Sequence, residues 1–232
     1  MARRHGKNYL KACEKAGNVN LVMAPVALSK VKECAFAKFD ESVDVDINLS
    51  IDPTKGDQVV RGSVVLPNSS GKAVRVVVFA KGDKADEAEK AGADFVGAED
   101  LVDKILGGWM DFDNAIATPD LMGLVGKVAK ILGPRGLLPN KKLGTVTFEV
   151  ADVVNDLKKG RLFFKNDKGG AVHFAIGKLS LGTEKLEENL RTFIKSLVAA
   201  KPASAKGKFL KSITVSSTMG VGVAMNPDEF LK

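Results

Sequence analysis

The sequence predicts a mixed α/β protein in which one α/β unit is inserted into a domain built from both ends of the chain. Three observations carry this. Residues 42–51 alternate polar and apolar without exception, the pattern of a strand with one wet face. Residues 74–80 are almost continuously apolar, as in a strand covered on both sides, and they open a run in which strands alternate with helices. After Gly160 the alternating strands return. At 232 residues the chain is long enough for two such domains.

Each element follows from local chemistry. Residues 3–17 read as a short basic helix stopped by Gly17, and a second helix starts near Pro25, which suits a first turn. The strand at 42–51 ends at Asp52-Pro53, and another runs from Gly62 to Leu66, before the linker Pro67-Asn68-Ser69-Ser70-Gly71. Beyond it come a strand at 74–80, a helix at 83–91, a short strand at Phe95-Val96, a helix at 99–106 and a strand at 114–117. Thr118-Pro119-Asp120 is a helix start with Thr as N-cap, and Leu121, Leu124, Val125, Val128 and Leu132 mark the buried face. Gly133-Pro134-Arg135-Gly136-Leu137-Leu138-Pro139-Asn140 follows as a rigid helix stop, and a helix at 150–159 completes the unit. Strands at 161–166 and 171–177 flank Asp167-Lys168-Gly169-Gly170, a hairpin turn. Thr183 caps a long helix with a stripe of Leu186, Leu190, Phe193, Ile194, Leu197 and Val198, and residues 211–217 alternate once more.

Charge separates the two parts. The formal net charge is +7 and the pI ≈ 9.3. Residues 68–160 hold 13 basic and 14 acidic side chains, leaving 22 basic and 14 acidic for the terminal segments. The positive excess therefore belongs to the split domain and points to a polyanion. On the wet side of its strands stand Ser42, Asp44 and Asp46; Arg161, Phe163 and Lys165; His173; and Thr214, Ser216 and Thr218. Cations with hydroxyls, carboxylates, an imidazole and an aromatic suit RNA, whose phosphates, 2′-hydroxyls and base edges need different partners. A plain solvated sheet face fits the same residues, and these residues alone leave both readings open.

Other chemistries have less support. There is no GxGxxG after a strand and no GxxxxGK[ST], so a nucleotide-dependent enzyme lacks its phosphate-binding loop. With only His5 and His173, a histidine triad or metal cluster has few possible members. Cys13 and Cys34 stand apart from any CxxC pair, no run is long enough to span a bilayer, and residues 1–7 lack an apolar signal region. The expectation is a reduced cytoplasmic protein without catalytic residues, metal or cofactor. A nonspecific nucleic-acid coat remains a rival, although Asp44 and Asp46 would repel phosphate.

Several stretches together resemble the ribosomal protein L-one family in its bacterial form. They are Lys38-Phe39-Asp40-Glu41-Ser42-Val43, Asp57-Gln58-Val59-Val60-Arg61-Gly62, Ala91-Gly92-Ala93-Asp94, Met110-Asp111-Phe112-Asp113, residues 133–140, and Ser217-Thr218-Met219-Gly220, in family order. The resemblance implies a discontinuous RNA-binding domain (1–67 and 161–232) and an inserted Rossmann-like three-layer α/β domain (68–160), swinging about Pro67 and Gly160. It implies binding to large-subunit ribosomal RNA at the mobile stalk, help in releasing deacylated tRNA from the exit site, and repression through the protein's own operon mRNA. By motif, the RNA contacts are Lys38, Phe39, Ser42 and Asp44, then Asp167, Lys168 and His173, then Thr214, Ser216, Thr218, Met219 and Gly220. Arg161 and Lys165 join them from the wet-face reading, and Arg135 and Lys141 are secondary contacts to RNA or the other domain. Lys141 and Val221 stand where the family usually has Pro.

Overall fold

The structure, a computed structural model, describes residues 6–17, 21–68, 74–205 and 207–230. The expected helix start at 3–5 and linker residues Ser69, Ser70 and Gly71 lie outside them. The chain divides into two compact units, one of Met1–Ser70 with Phe163–Lys232 and one of Gly71–Leu162.

The first unit is built on a four-stranded antiparallel sheet in the order β7-β1-β8-β9. β1 (Ser42–Leu49) lies between β7 (Ala171–Lys178) and β8 (Leu210–Ser217), with β9 (Val223–Met225) at the edge. A strand from the first part of the chain thus pairs with strands from the last part. Alternation decides its two faces: Val43, Val45, Ile47 and Leu49 are buried, while Ser42, Asp44 and Asp46 are partly open. The buried face meets α2 (Ala24–Cys34) and α7 (Thr183–Ala199). In α7 the stripe Leu186, Leu190, Phe193, Ile194 and Leu197 is buried, and Phe193 stacks on Phe174 of β7 at 4.0 Å between ring centroids. Full burial of a side chain such as Phe193 contributes about 1.5–3 kcal/mol. Asn189 is the polar exception in the stripe. Fully buried, it donates to the carbonyls of Ile176 and Asn68 and accepts the Asn68 N–H, so every polar group it hides is satisfied. α1 (Lys7–Ala16) packs on α2 through Ala12 and Ala16 against Cys34, and Val221 joins the same cluster.

The second unit holds a parallel sheet in the order β4-β3-β5, with β3 (Val76–Phe79) central between β4 (Phe95–Gly97) and β5 (Asn114–Ala117). All four residues of β3 are buried. α4 (Glu99–Leu106) and α5 (Met122–Leu132) cover one face, closing a core with Val77, Phe79, Ala115 and Ala117. α3 (Asp83–Lys90) and α6 (Val150–Lys158) pack on each other and on β3. α5 ends in the glycine-proline loop. Gly133 is still helical, the Leu137 N–H closes onto the Leu132 carbonyl, and Gly136 takes the left-handed φ of 73° that a side chain would resist. Leu137 and Leu138 pack on the α4–α5 core, so the loop is a helix stop held by its own apolar residues.

Three local expectations differ from the structure. Thr118 is the N-cap of a 3₁₀ turn (Pro119–Leu121) that precedes α5, not of α5 itself, and its side chain makes no cap bond; the hydroxyl faces the Phe79 carbonyl at 3.5 Å. Thr183 is the first residue of α7, whose N-cap is Gly182 at φ 87°. The turn at Asp167–Gly170 forms, with Asp167 Oδ1 accepting N–H groups of Gly169 and Ala171, both at 2.8 Å. Its flanking strands, however, separate after one bridge between Asn166 and Val172. β6 (Arg161–Lys165) pairs instead with β2 (Arg61–Val65) in a sheet of two strands. Asn166 directs this split by accepting the Val60 N–H on Oδ1 at 2.8 Å and donating its own N–H to the Val60 carbonyl.

Candidate nucleic-acid interface

The open face of the four-stranded sheet is set by register. Asp46 lies opposite His173 on one side and Thr214 on the other; Asp44 lies opposite Ala175 and Ser216. Small residues beside the carboxylates leave an open depression of about 420 Å³, lined by Asp44, Asp46, His173, Ala175, Ser216 and Thr218 among others. The face is therefore concave, polar and charged.

Its ionisable groups are coupled. His173 Nδ1 is 2.6 Å from Asp46 Oδ1, and Nε2 is 3.8 Å from Asp167 Oδ2. The hydrogen bond to Asp46, opposed by partial burial and helped by the Asp46 and Asp167 charges, raises the His173 pKa. Asp167 is held below the usual carboxylate range, first by the Ala171 N–H, then by the Gly169 N–H and His173. Asp44 moves the other way, because burial and then the neighbouring Asp46 charge disfavour its ionised form. A face with two carboxylates and an imidazole whose pKa is raised can accept hydrogen bonds from 2′-hydroxyls and base amines as well as meet a phosphate.

Above this face, two segments far apart in sequence form one corner. The first is the bend after α2, where Phe39 is 57% exposed and Lys38 also reaches solvent. The second is the end of β8, where Met219 is 51% exposed. Glu41 joins them. It is 1% exposed; Oε1 accepts the Ala37 N–H at 2.9 Å and Oε2 accepts the Met219 N–H at 3.1 Å. Burial pushes Glu41 up, but the Ser217 side chain and the N–H groups of Ala37, Met219 and Phe36 outweigh it and hold the carboxyl below its usual range. The buried Ser217 hydroxyl acts as a nearby dipole and completes no aligned hydrogen bond among the described residues, so the two N–H donors carry the clamp. Asp40 fixes the bend from its other side, accepting from the Ser180 N–H and hydroxyl.

Thr218 and Gly220 complete the corner by structural means. The Thr218 hydroxyl accepts the Ser42 N–H at 3.0 Å and lies 3.3 Å from the Ser42 carbonyl, tying β8 to β1. A Cβ on Gly220 would collide with Ser217 Oγ, so any larger residue here requires the Ser217 hydroxyl to move. Val221 packs on the cluster of Ala12, Ala16 and Cys34, which gives an apolar side chain a place there.

The remaining sequence-derived residues lie elsewhere. Lys168 is exposed on the Asp167–Gly170 turn, near the face. Arg161 and Lys165 do not line the open face, because β6 belongs to the other sheet; Arg161 turns to Asp156 and the Leu143 carbonyl, each at 3.5 Å. Arg135 and Lys141 are exposed in the second unit. Pro67 precedes Asn68, which is pinned to Asn189 and Glu188, and Gly160 ends α6 at φ 104°. Sequence reasoning missed Glu41 as a site residue. Its only visible signal is an acid between an exposed-looking Phe-Asp pair and an alternating strand, and its partner is 178 positions away.

Among the described residues no group of three or more His, Cys, Asp or Glu could hold a metal ion, and no helix is long and apolar enough to cross a membrane. Cys13 and Cys34 are free, and burial pushes the Cys34 thiol up. The profile of the Ribosomal protein L1p/L10e family matches residues 31–221, which include the corner, the open face and the second unit. That family is one of structural, ribosomal RNA-binding constituents of the large subunit rather than enzymes. This chain belongs to the Ribosomal protein L1p/L10e family.

Proposed function

We propose that the protein grips ribosomal RNA at the mobile stalk of the large subunit with the split domain, helps release deacylated tRNA from the exit site, and represses translation by binding its own operon mRNA. The observation that carries this reading is the Glu41 clamp, which fixes exposed Phe39 and Met219 above a concave face of carboxylates, hydroxyls and an imidazole. Phe39 and Met219 offer apolar surface to bases. Asp44, Asp46 and Ser216 meet 2′-hydroxyls and base edges, and Lys38 and Lys168 meet phosphates. Thr218 and Gly220 act mainly by shaping the corner, since the Thr218 hydroxyl is already bound to Ser42.

In this reading the split domain spans 1–67 and 161–232. The inserted domain, 68–160, swings about Pro67 and Gly160 and offers Arg135 and Lys141 as secondary contacts to RNA or the split domain. The shared corner would serve both rRNA and the operon message, because one rigid surface recognises one RNA shape. The test is competition across a salt series. The full chain should hold a stalk-RNA fragment against excess unrelated RNA, with a salt slope that reports only the phosphate contacts. Equal displacement by unrelated RNA would reduce the protein to a nonspecific coat. Saturable nucleotide binding by the full chain that displaces no RNA would instead favour the enzyme reading.

A further inference from the structure

Next to the corner, α1 carries a surface of different chemistry. Its ten residues include Lys7, Lys11 and Lys15 against a single acid, Glu14. Spacing of i, i+4 and i+8 lays the lysines along one stripe. All three are exposed, and none makes an ion pair among the described residues. The packing of α1 uses little more than Ala12 and Ala16 on Cys34, so the fold has no need of the charges.

Between the first turn of α1 and the corner lies an open cleft of about 380 Å³, lined by Gly6, Lys7, Asn8, Tyr9, Phe36 and Met219. A smaller hollow of about 120 Å³ also borders Phe36, with Lys11 and Lys15 on its wall. Phe36 is 36% exposed, a large aromatic with one side to solvent at the head of three uncompensated cations. An aromatic platform beside a cationic track is how proteins hold an unpaired strand: bases stack, and the backbone follows the charge.

We infer that this cleft takes one unstacked nucleobase of the bound RNA against Phe36 and Met219, with the adjoining phosphates running along Lys7, Lys11 and Lys15. The inference rests on the RNA reading of the corner, since Met219 belongs to both. It lengthens the footprint from the open sheet face onto α1, a helix that precedes the family match at 31–221. The charge sign favours RNA over an apolar protein helix, because the lysine stripe offers such a helix nothing to bury.

The test uses the full chain and the large-subunit RNA fragment that the wild type binds, titrated across a salt series. Phe36→Leu keeps apolar bulk and removes the π-face; it should weaken binding about five- to hundredfold with an unchanged salt slope. Phe36→Trp should retain the affinity. The triple variant Lys7→Gln/Lys11→Gln/Lys15→Gln should flatten the salt slope by about 0.7–0.9 for each lysine that meets a phosphate. Asp44→Ala, which alters the open face and leaves the cleft lining untouched, separates this inference from the reading beneath it. Wild-type affinity in Phe36→Leu with weakened binding in Asp44→Ala overturns the base cleft; wild-type affinity in both overturns the reading itself. Wild-type salt slope in the lysine variant overturns the phosphate track. Displacement of wild-type RNA by polyglutamate but not by unrelated RNA, lost in the lysine variant, would assign the stripe to an acidic protein instead.

Discussion

β1 and β3 show how differently one chain can use a strand. In β3 all four residues are buried and helices cover both sides, so its side chains serve packing alone. In β1 every second residue is buried, and the alternate ones meet His173, Thr214 and Ser216 across the sheet. The first arrangement spends its surface on stability. The second leaves a face that is chemically rich and adds little to the core. Binding should therefore be separable from stability, residue by residue, along this boundary.

The contrast is sharpest in β5. Ile116 is fully buried in the second unit, and Ile116→Ala should cost about 2–5 kcal/mol of stability. RNA affinity of the remaining folded protein should stay within a few-fold of wild type. Denaturant unfolding and binding at low temperature check the two parts.

Glu41→Ala is the case where the separation should break down. It leaves the Ala37 and Met219 N–H groups without their acceptor and should cost about 2–4 kcal/mol of stability. It should also weaken RNA binding, because the corner loses its tie. A variant that is destabilised yet binds normally would show that the clamp does not position Met219.

Gly220→Ala should cost less, about 1–3 kcal/mol, through its collision with Ser217 Oγ. The double variant Ser217→Ala/Gly220→Ala removes the colliding oxygen and should recover part of that loss. Additive effects in the cycle would rule the collision out as the cause.

The smallest effect concerns pH. The His173 pKa is raised by Asp46, so its contribution to stability is fully present below the unfolded value, ~6.5, and is lost as pH rises through the raised folded value. Because the ring is exposed, the stability change is small, and NMR titration of the imidazole is the better readout. Asp46→Asn should bring the His173 pKa back down. RNA binding should weaken as His173 loses its proton, leaving Asp46 and Asp167 uncompensated. A midpoint unchanged by Asp46→Asn would refute the coupling.

Much of the fold was legible because periodicity reports burial. The alternation at 42–51 and the apolar run at 74–80 each mark the strand that forms, and the stripe in α7 marks its buried side. The failures are equally physical. Asp167-Lys168-Gly169-Gly170 does make its turn, but Asn166 reaches to Val60 and sends β6 into another sheet, a side-chain choice that turn chemistry does not record. Arg161 and Lys165 left the expected face for that reason. Thr118 and Thr183 have cap-forming side chains, yet a 3₁₀ turn and a left-handed glycine set those helix starts. At the site, the residue types of the open face could be read from strand register. Glu41 and Asn189 could not, since each is a buried polar group with a partner from a distant segment.

The central claim is that the RNA surface lies in the split unit and not at the conspicuous glycine-proline loop. It is tested most directly by comparing Met219→Ala with Arg135→Ala in the full chain, measuring the affinity of each for stalk RNA at one fixed salt concentration. Met219→Ala should lose about 1–3 kcal/mol of binding free energy, while Arg135→Ala stays within a few-fold of wild type. The reverse order, with Arg135→Ala the weaker binder, would contradict it.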